Sequence, residues 1–246
     1  MSIVLQRDSR ELRQTKAFRI MVIISAVITA GIAVGASIAL SRAEWLGAES
    51  AKPMLEFIMG LIIYFLTLSI LMSFIWAFAN LPVTREKVNG NIESLLATPL
   101  SPKAVWMGKS LAIFMPGFAI SVISTLVVAL AVNFAAITPA TGYFVLPAPV
   151  LLTSFLINPL LFFGLLSFII LLSLANNPDI ALMPSFLVGF GLIIGIPLGV
   201  ATGVIDLASW SFTLWYLAGA IVIWAVVGYL SRLLTKENIV LSSKGG

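Results

Sequence analysis

Long apolar segments alternate with short polar ones along the whole chain. A helix needs about 20 mostly apolar residues to cross a bilayer, and six segments meet that requirement. They cover residues 18–40, 57–79, 104–132, 150–174, 181–204 and 211–230. The break between the fourth and fifth segments depends on Asn176-Asn177-Pro178-Asp179, a sequence typical of turns. The pattern therefore predicts an all-α membrane protein with six transmembrane helices, folded as one domain over residues 1–246.

The composition fits this class. The 246 residues are 60% hydrophobic and only 10% charged, with a mean hydropathy of +1.11, whereas soluble domains carry about 25% charged residues. The chain has no cysteine and no histidine, which removes disulfides, thiol chemistry and the usual general base near neutral pH. The first apolar segment follows a charged arm and is too long for the core of a signal peptide, so no cleaved leader is expected.

Basic residues are concentrated on one side of the predicted bundle. Twelve of the 14 lie in or beside the arm at residues 1–17, the loop at 80–103 and the tail at 231–246, which share a side if there are six spans. The other side has only Arg42 and Lys52. The positive-inside rule then places both termini and the loop in the cytoplasm, with the chain in the plasma membrane. This bias also explains the net charge of +4, so no nucleic-acid partner is expected.

Polar residues inside the spans are few. Each Asp, Glu, Lys and Arg is expected at or beyond a span end, which disfavours a proton-driven carrier or a voltage-gated channel. Asn158, beside Pro159, is the most conspicuous polar residue within a span. It could line a transport path, but a hydrogen bond between helices is the favoured interpretation.

Glycines recur at every fourth residue in the fifth segment, and a shorter stripe occurs in the first. Such faces let helix backbones approach closely, either within one subunit or between two. The candidate packing or dimer-interface residues are Gly31, Gly35, Gly191, Gly195, Gly199 and Gly203. Pro116, Pro159, Pro184 and Pro197 each remove a backbone donor from a predicted span and can bend it.

The arm at residues 3–18 mixes apolar and charged residues at helical spacing. This pattern predicts an amphipathic helix that lies along the membrane surface with its basic residues near anionic headgroups. A solvated arm that only fixes the topology is the alternative.

The loop at 80–103 has its own helical pattern. Asn89-Gly90 is a turn signal, and Asn91 can cap a helix through residue 97 that Thr98-Pro99 ends. Ser101 then caps the next helix, with Pro102 in its first turn. A helix of one to two turns is marginal alone in water, so we expect it to dock in a groove of another protein.

One motif in this region is misleading. Gly108-Lys109-Ser110 resembles the end of a phosphate-binding loop, but Lys103 stands where that motif needs its first glycine, and no strand precedes it. We therefore expect no nucleotide binding by this chain. No catalytic constellation stands out elsewhere in the sequence.

The loop resembles the cytoplasmic signature of type-2 ABC exporter permeases. In that family a Glu-containing segment, a Gly and a second Glu lead into Leu-Leu-x-Thr/Ser-Pro-Leu, followed by Gly-Lys at the start of the third span. The matching residues here are Arg85, Glu86, Gly90, Glu93, Leu95, Leu96, Thr98, Pro99, Leu100, Gly108 and Lys109.

The resemblance implies that two such subunits, or this chain and a related one, form the pore. Two separate ATPase subunits, which bind ATP and Mg, would dock below, and this chain itself would bind no cofactor. Residues 91–97 would form the coupling helix, and the first and fifth spans would meet at the permease dimer interface. The implied ATPase-coupling residues are Arg85, Glu86, Gly90, Asn91, Ile92, Glu93, Leu95, Leu96, Thr98, Pro99 and Lys109.

The chain departs from the family between its last two spans. Residues 205–210 leave little room for the sizeable re-entrant element that many members carry there, so no external gate is inferred. The resulting hypothesis is a permease that exports an amphipathic, lipid-like or drug-like substrate. A secondary carrier or channel, and a membrane scaffold without ATP coupling, are the alternatives.

Overall fold

The computed structural model describes residues 2–48, 51–79, 101–175 and 183–235, and every regular element in those ranges is helical. The α-helices are α1 Ser2–Gln14, α2 Lys16–Ser41, α3 Ala51–Phe78, α4 Pro102–Val132, α5 Thr138–Thr141, α6 Ala148–Leu152, α7 Asn158–Ala175, α8 Met183–Phe190, α9 Ile196–Ala201 and α10 Trp210–Leu230.

In the described ranges, five helical rods are long and apolar enough to cross a membrane, so the predicted class, a multi-pass helical membrane protein, is confirmed. We call them the first, second, third, fourth and C-terminal spans; they cover Lys16–Ser41, Ala51–Phe78, Pro102–Thr141, Ala148–Leu174 and Trp210–Leu230. The predicted segment at 181–204 contains a shorter apolar helix, Phe186–Ala201. A sixth span therefore stays a prediction.

The arm and the first span are separate helices because Thr15 forms a cap between them. Its Oγ1 accepts a hydrogen bond from the backbone N–H of Phe18 at 3.1 Å and donates one to the carbonyl oxygen of Leu12 at 2.7 Å. A threonine in this position satisfies backbone groups that a helix end leaves open. The arm is thus helical over Ser2–Gln14, and its position relative to the membrane surface stays a prediction.

The third span begins as the sequence indicates. Ser101 Oγ accepts a hydrogen bond from the N–H of Ala104 at 3.2 Å, and Pro102 occupies the first turn. Its end was predicted wrongly. The segment was expected to end at residue 132, but the rod continues to Thr141 and ends at Gly142, whose φ of 76° suits a glycine.

Asn133 holds the short return that follows. Its buried amide donates to the carbonyl oxygen of Val145 at 3.2 Å and accepts from the N–H of Val145 at 2.8 Å. This pair of bonds gives the returning chain partners that water would supply elsewhere. The fourth span can therefore begin at Ala148, directly beside the end of the third.

In the part of the chain that the structure describes, three helical stretches contain one wide π turn each, and each turn ends two residues before a proline. The turns are Asn133–Ile137 before Pro139, Thr153–Ile157 before Pro159 and Gly191–Gly195 before Pro197. Proline has no N–H to donate, and its ring clashes with the carbonyl four residues back. A wider turn relieves the clash, since the N–H groups of Thr138 and Asn158 bond five residues back, to Asn133 and Thr153. Pro116, by contrast, lies inside the α-helix α4.

The third span is the centre of the bundle. It packs against α1, α2, α3 and α7, while α10 packs against α7 on the far side. Glycines allow the closest approaches. A Cβ at Gly117 would lie 2.9 Å from the Cβ and Cγ of Phe74, and one at Gly164 would lie 2.9 Å from Ile223 Cγ2. Neither glycine belongs to the glycine stripes of the first and fifth segments.

We predict that Gly117→Ala lowers the thermal stability of the detergent-purified protein. The new methyl group would push Phe74 out of a packed position, and overpacking of this kind costs about 1–3 kcal/mol. Gly219→Ala is the matched control, because a Cβ there meets no atom within 4 Å. Equal melting temperatures for the two variants would contradict the packing described for α3 and α4.

The six-span arrangement predicts that Gln14→Cys and Ser243→Cys, made singly in this cysteine-free chain, are both shielded from a membrane-impermeant maleimide in intact cells. Ala140→Cys, on the opposite side, should react. Labelling of the tail cysteine with protection of the arm cysteine would instead indicate an odd number of spans.

Candidate functional site

Most of the predicted coupling residues lie outside the described residues. They are Arg85, Glu86, Gly90, Asn91, Ile92, Glu93, Leu95, Leu96, Thr98 and Pro99. Lys109 is the member of the set that the structure describes. The coupling role of Lys109, like that of the residues outside the described ranges, stays a prediction.

Lys109 is the eighth residue of α4 and is completely buried. Its Nζ lies 3.2 Å from Oδ2 of Asp8, a residue of α1 that is only 8% exposed. The expectation that charges stay at span ends misses this position, because Lys109 lies within the helix and is enclosed by protein. The arrangement joins the arm to the third span through a buried ion pair.

Asp8 belongs to a stripe on one face of α1. Val4, Asp8 and Leu12 are buried at spacings of four residues, and α1 packs against α4. Residues four apart share a helix face, so the carboxylate is carried into the contact by its apolar neighbours. The sequence shows this spacing, and the position of Asp8 between Val4 and Leu12 is the signal that would have predicted its burial.

Asp8 also pairs with a neighbour on its own helix. Its Oδ1 lies 2.9 Å from Arg7, and Arg7 lies 3.8 Å from Glu11. Both oxygens of the carboxylate thus face a cation, which offsets the cost of removing the charge from water. The remaining basic residues of this region, Arg10, Arg13, Lys16 and Arg19, are exposed.

A second group of polar side chains joins the fourth span to the C-terminal span. Oδ1 of Asn158 accepts a hydrogen bond of 2.6 Å from the hydroxyl of Tyr216, and both residues are buried. The interhelical hydrogen bond predicted for Asn158 is therefore present. A role for Asn158 in a transport path stays a prediction.

Other residues of this polar group were missed by the sequence analysis. Thr153 Oγ1 donates to Thr213 Oγ1 at 3.1 Å, and the ring of Tyr64 packs edge to face against that of Tyr216 with centroids 5.8 Å apart. One turn further along α3, Thr67 and Thr125 hydroxyls lie 2.9 Å apart. A sequence signal existed, since Thr213 and Tyr216 are three residues apart on one face of an apolar helix.

The glycine stripes separate into two groups. A Cβ at Gly31, Gly35, Gly191 or Gly195 would meet no atom within 4 Å, so these four do not mediate packing within the described part of one chain. Gly199 lies against the side chain of Ile205, and Gly203 adopts a φ of 75° where α9 ends. A contact between subunits through the first four stays a prediction.

The site and fold define a multi-pass membrane protein whose third span is tied to an amphipathic arm by buried charge. In the described ranges, no group of three or more acidic side chains could hold a metal ion. Comparison of the chain with protein-family models, curated proteins and solved structures finds no match.

We predict that Lys109→Met destabilises the protein, because Asp8 would lose this buried cation. Removing one member of a buried ion pair typically costs about 3–5 kcal/mol. Chemical denaturation in detergent measures the change in the free energy of unfolding. The double variant Asp8→Leu/Lys109→Met should recover most of the loss, since it leaves no buried charge. Additive losses in the double variant would contradict direct coupling of the two residues.

Proposed function

We propose that this chain is the membrane-spanning permease subunit of an ATP-driven ABC exporter. It would move an amphipathic, lipid-like or drug-like substrate by coupling to a separate ATPase subunit. The observation that carries the proposal is the loop signature from Arg85 to Lys109, which leads directly into the most centrally packed helix of the bundle.

The packing of the third span supports a role as a lever. A coupling helix at 91–97 would transmit force along the chain through Pro99 to Ser101, where α4 is firmly capped. Because α4 packs against α1, α2, α3 and α7, displacement of its first turn would reach most of the bundle. ATP and Mg would be bound and used by the partner subunit.

The ion pair between Asp8 and Lys109 gives the arm a part in this coupling. The pair attaches α1 to the same end of α4 that follows the loop. Movement imposed through the loop would therefore carry α1 with it. The exposed basic residues of the arm would meanwhile face anionic lipid headgroups.

A second permease subunit, either another copy or a related chain, would complete the pore. The four glycines with open space around them, Gly31, Gly35, Gly191 and Gly195, offer faces on which another helix backbone could approach closely. The first span has little of its surface buried within its own chain. Both features are expected of a helix that packs against another subunit, and both are also expected of a helix in contact with lipid.

The chemistry of the bundle interior favours an amphipathic substrate. The buried polar residues of the described chain are mainly Ser, Thr and Asn, with one ion pair near an end of the bundle. An interior of this kind offers hydrogen bonds without strong charge. It suits solutes that combine apolar bodies with neutral polar groups.

We predict that Leu96→Glu uncouples ATP hydrolysis from transport while the chain still inserts. A charge on the apolar face of the coupling helix would weaken its seat in the ATPase groove. The measurement is transport per ATP hydrolysed in proteoliposomes that contain the whole complex. Leu96→Met is the conservative control, and Lys236→Glu tests whether a charge change elsewhere on the same side has any effect.

Glu93→Lys should act in the same direction as Leu96→Glu. Wild-type coupling in both variants would argue strongly against the exporter assignment.

Co-purification distinguishes the competing functions. A tagged chain isolated from its native cell should bring an ATPase subunit with it, and Leu96→Glu should reduce the amount recovered. Transport by the purified chain alone in response to an ion gradient would instead indicate a secondary carrier or channel. Isolation without an ATPase and without transport would indicate a scaffold.

A further inference from the structure

Three buried polar atoms around the Tyr216–Asn158 hydrogen bond have no partner in the described chain. They are Nδ2 of Asn158, Oη of Tyr64 and Oγ of Ser154. Tyr64 comes from α3, Ser154 from the π turn Thr153–Ile157 and Asn158 from the first residue of α7. Both α3 and α10 pack against that π turn, so the three atoms belong to one contact region.

Rearrangement of the side chains does not remove the problem. The hydroxyl of Ser154 can turn towards a backbone carbonyl of its own helix. The Tyr64 hydroxyl faces that of Tyr216, whose proton is already donated to Asn158, so the Tyr64 oxygen still lacks a donor. Exchanging the nitrogen and oxygen of the Asn158 amide leaves the oxygen unpartnered in place of the nitrogen. Leaving a buried polar group unpaired destabilises the folded protein.

The π turn adds a further polar group to the same place. Pro159 has no N–H, so a backbone carbonyl of the preceding turn loses its usual donor. Wide turns of this kind are frequent at functional positions. The region therefore combines an amide donor, hydroxyls that can donate or accept, and a backbone acceptor, with no charged side chain among them.

We propose that α3, the π turn Thr153–Ile157 and α10 enclose a bound water molecule. Its oxygen accepts a hydrogen bond from Asn158 Nδ2, and its hydrogens go to hydroxyl oxygens of Tyr64 and Ser154. Water matches these needs, since a buried water typically makes about three hydrogen bonds to groups that lack other partners. Tyr64, Ser154 and Asn158 are completely buried, so bulk solvent does not supply their missing partners. The proposal does not depend on the exporter assignment.

Radiolytic hydroxyl-radical footprinting of the intact protein in detergent tests this site. Radicals formed from a bound water modify the side chains beside it, even when those are inaccessible to solvent. We expect modification of Tyr64 and Tyr216, and none of Phe78 or Phe162, which are also buried but do not belong to this polar group. Modification should persist when a scavenger in bulk solvent suppresses labelling of the exposed Tyr229.

Asn158→Leu should abolish the modification of Tyr64, because a leucine cannot hold the water. Ser167→Ala is the matched control, since its hydroxyl is also buried and unpartnered but lies elsewhere in α7, and it should leave Tyr64 labelling unchanged.

The proposal is overturned if Tyr64 and Tyr216 stay as unmodified as Phe78 in the wild-type protein. It is also overturned if their labelling disappears with the scavenger, or if Asn158→Leu labels as strongly as wild type. The wild-type comparison stands even if Asn158→Leu fails to fold.

Discussion

Within hydrocarbon, a backbone N–H or carbonyl can find its partner only in the protein. This constraint explains why every regular element in the described ranges is a helix, and also where the helices are irregular. Proline breaks the rule locally at Pro139, Pro159 and Pro197, and each time the chain responds with a π turn just before it. The capping roles of Ser101, Thr15 and Asn133 satisfy the same requirement at helix ends and in the return between two spans.

Side chains obey the same constraint less completely. Threonine hydroxyls pair across helices, and Asn158 finds Tyr216, yet some buried polar atoms remain without a partner inside the described chain. Their concentration beside one π turn is the reason this region differs from an ordinary apolar helix contact. There, a proline leaves a backbone carbonyl without its donor, and polar side chains that need hydrogen-bond partners lie beside it.

Hydrophobic periodicity and length predicted the helical class and the positions of five spans well, because burial in lipid demands long apolar segments. The third span exceeded its prediction because residues 133–141 carry no charge and the π turn before Pro139 lets the helix continue to Gly142. Contacts between particular residues were harder to predict from the sequence. The glycines at every fourth residue of the fifth segment form a pattern that is easy to recognise. Close packing is made instead at isolated glycines such as Gly117 and Gly164, whose importance depends on the bulky residue opposite.

The charged contact was hidden for a similar reason. Lys109 was recognised as part of a motif, and the arm was recognised as amphipathic, but no pattern in either segment states that Asp8 and Lys109 meet across 101 positions of sequence. Only the packing of α1 against α4 reveals it. Tyr64 and Tyr216 illustrate the same limit, since aromatic residues are common in apolar helices and only their convergence on Asn158 gives them a polar role.

The buried lysine has a consequence for biogenesis. A ribosome makes α1 well before the third span, so Asp8 is already present when Lys109 reaches the membrane. Until the two meet, the inserting helix carries an ammonium group whose burial is unfavourable. The helix α1 would then assist the insertion of a helix made much later. A fusion partner that holds α1 away from the membrane would hinder insertion of the third span more than it would destabilise the folded protein.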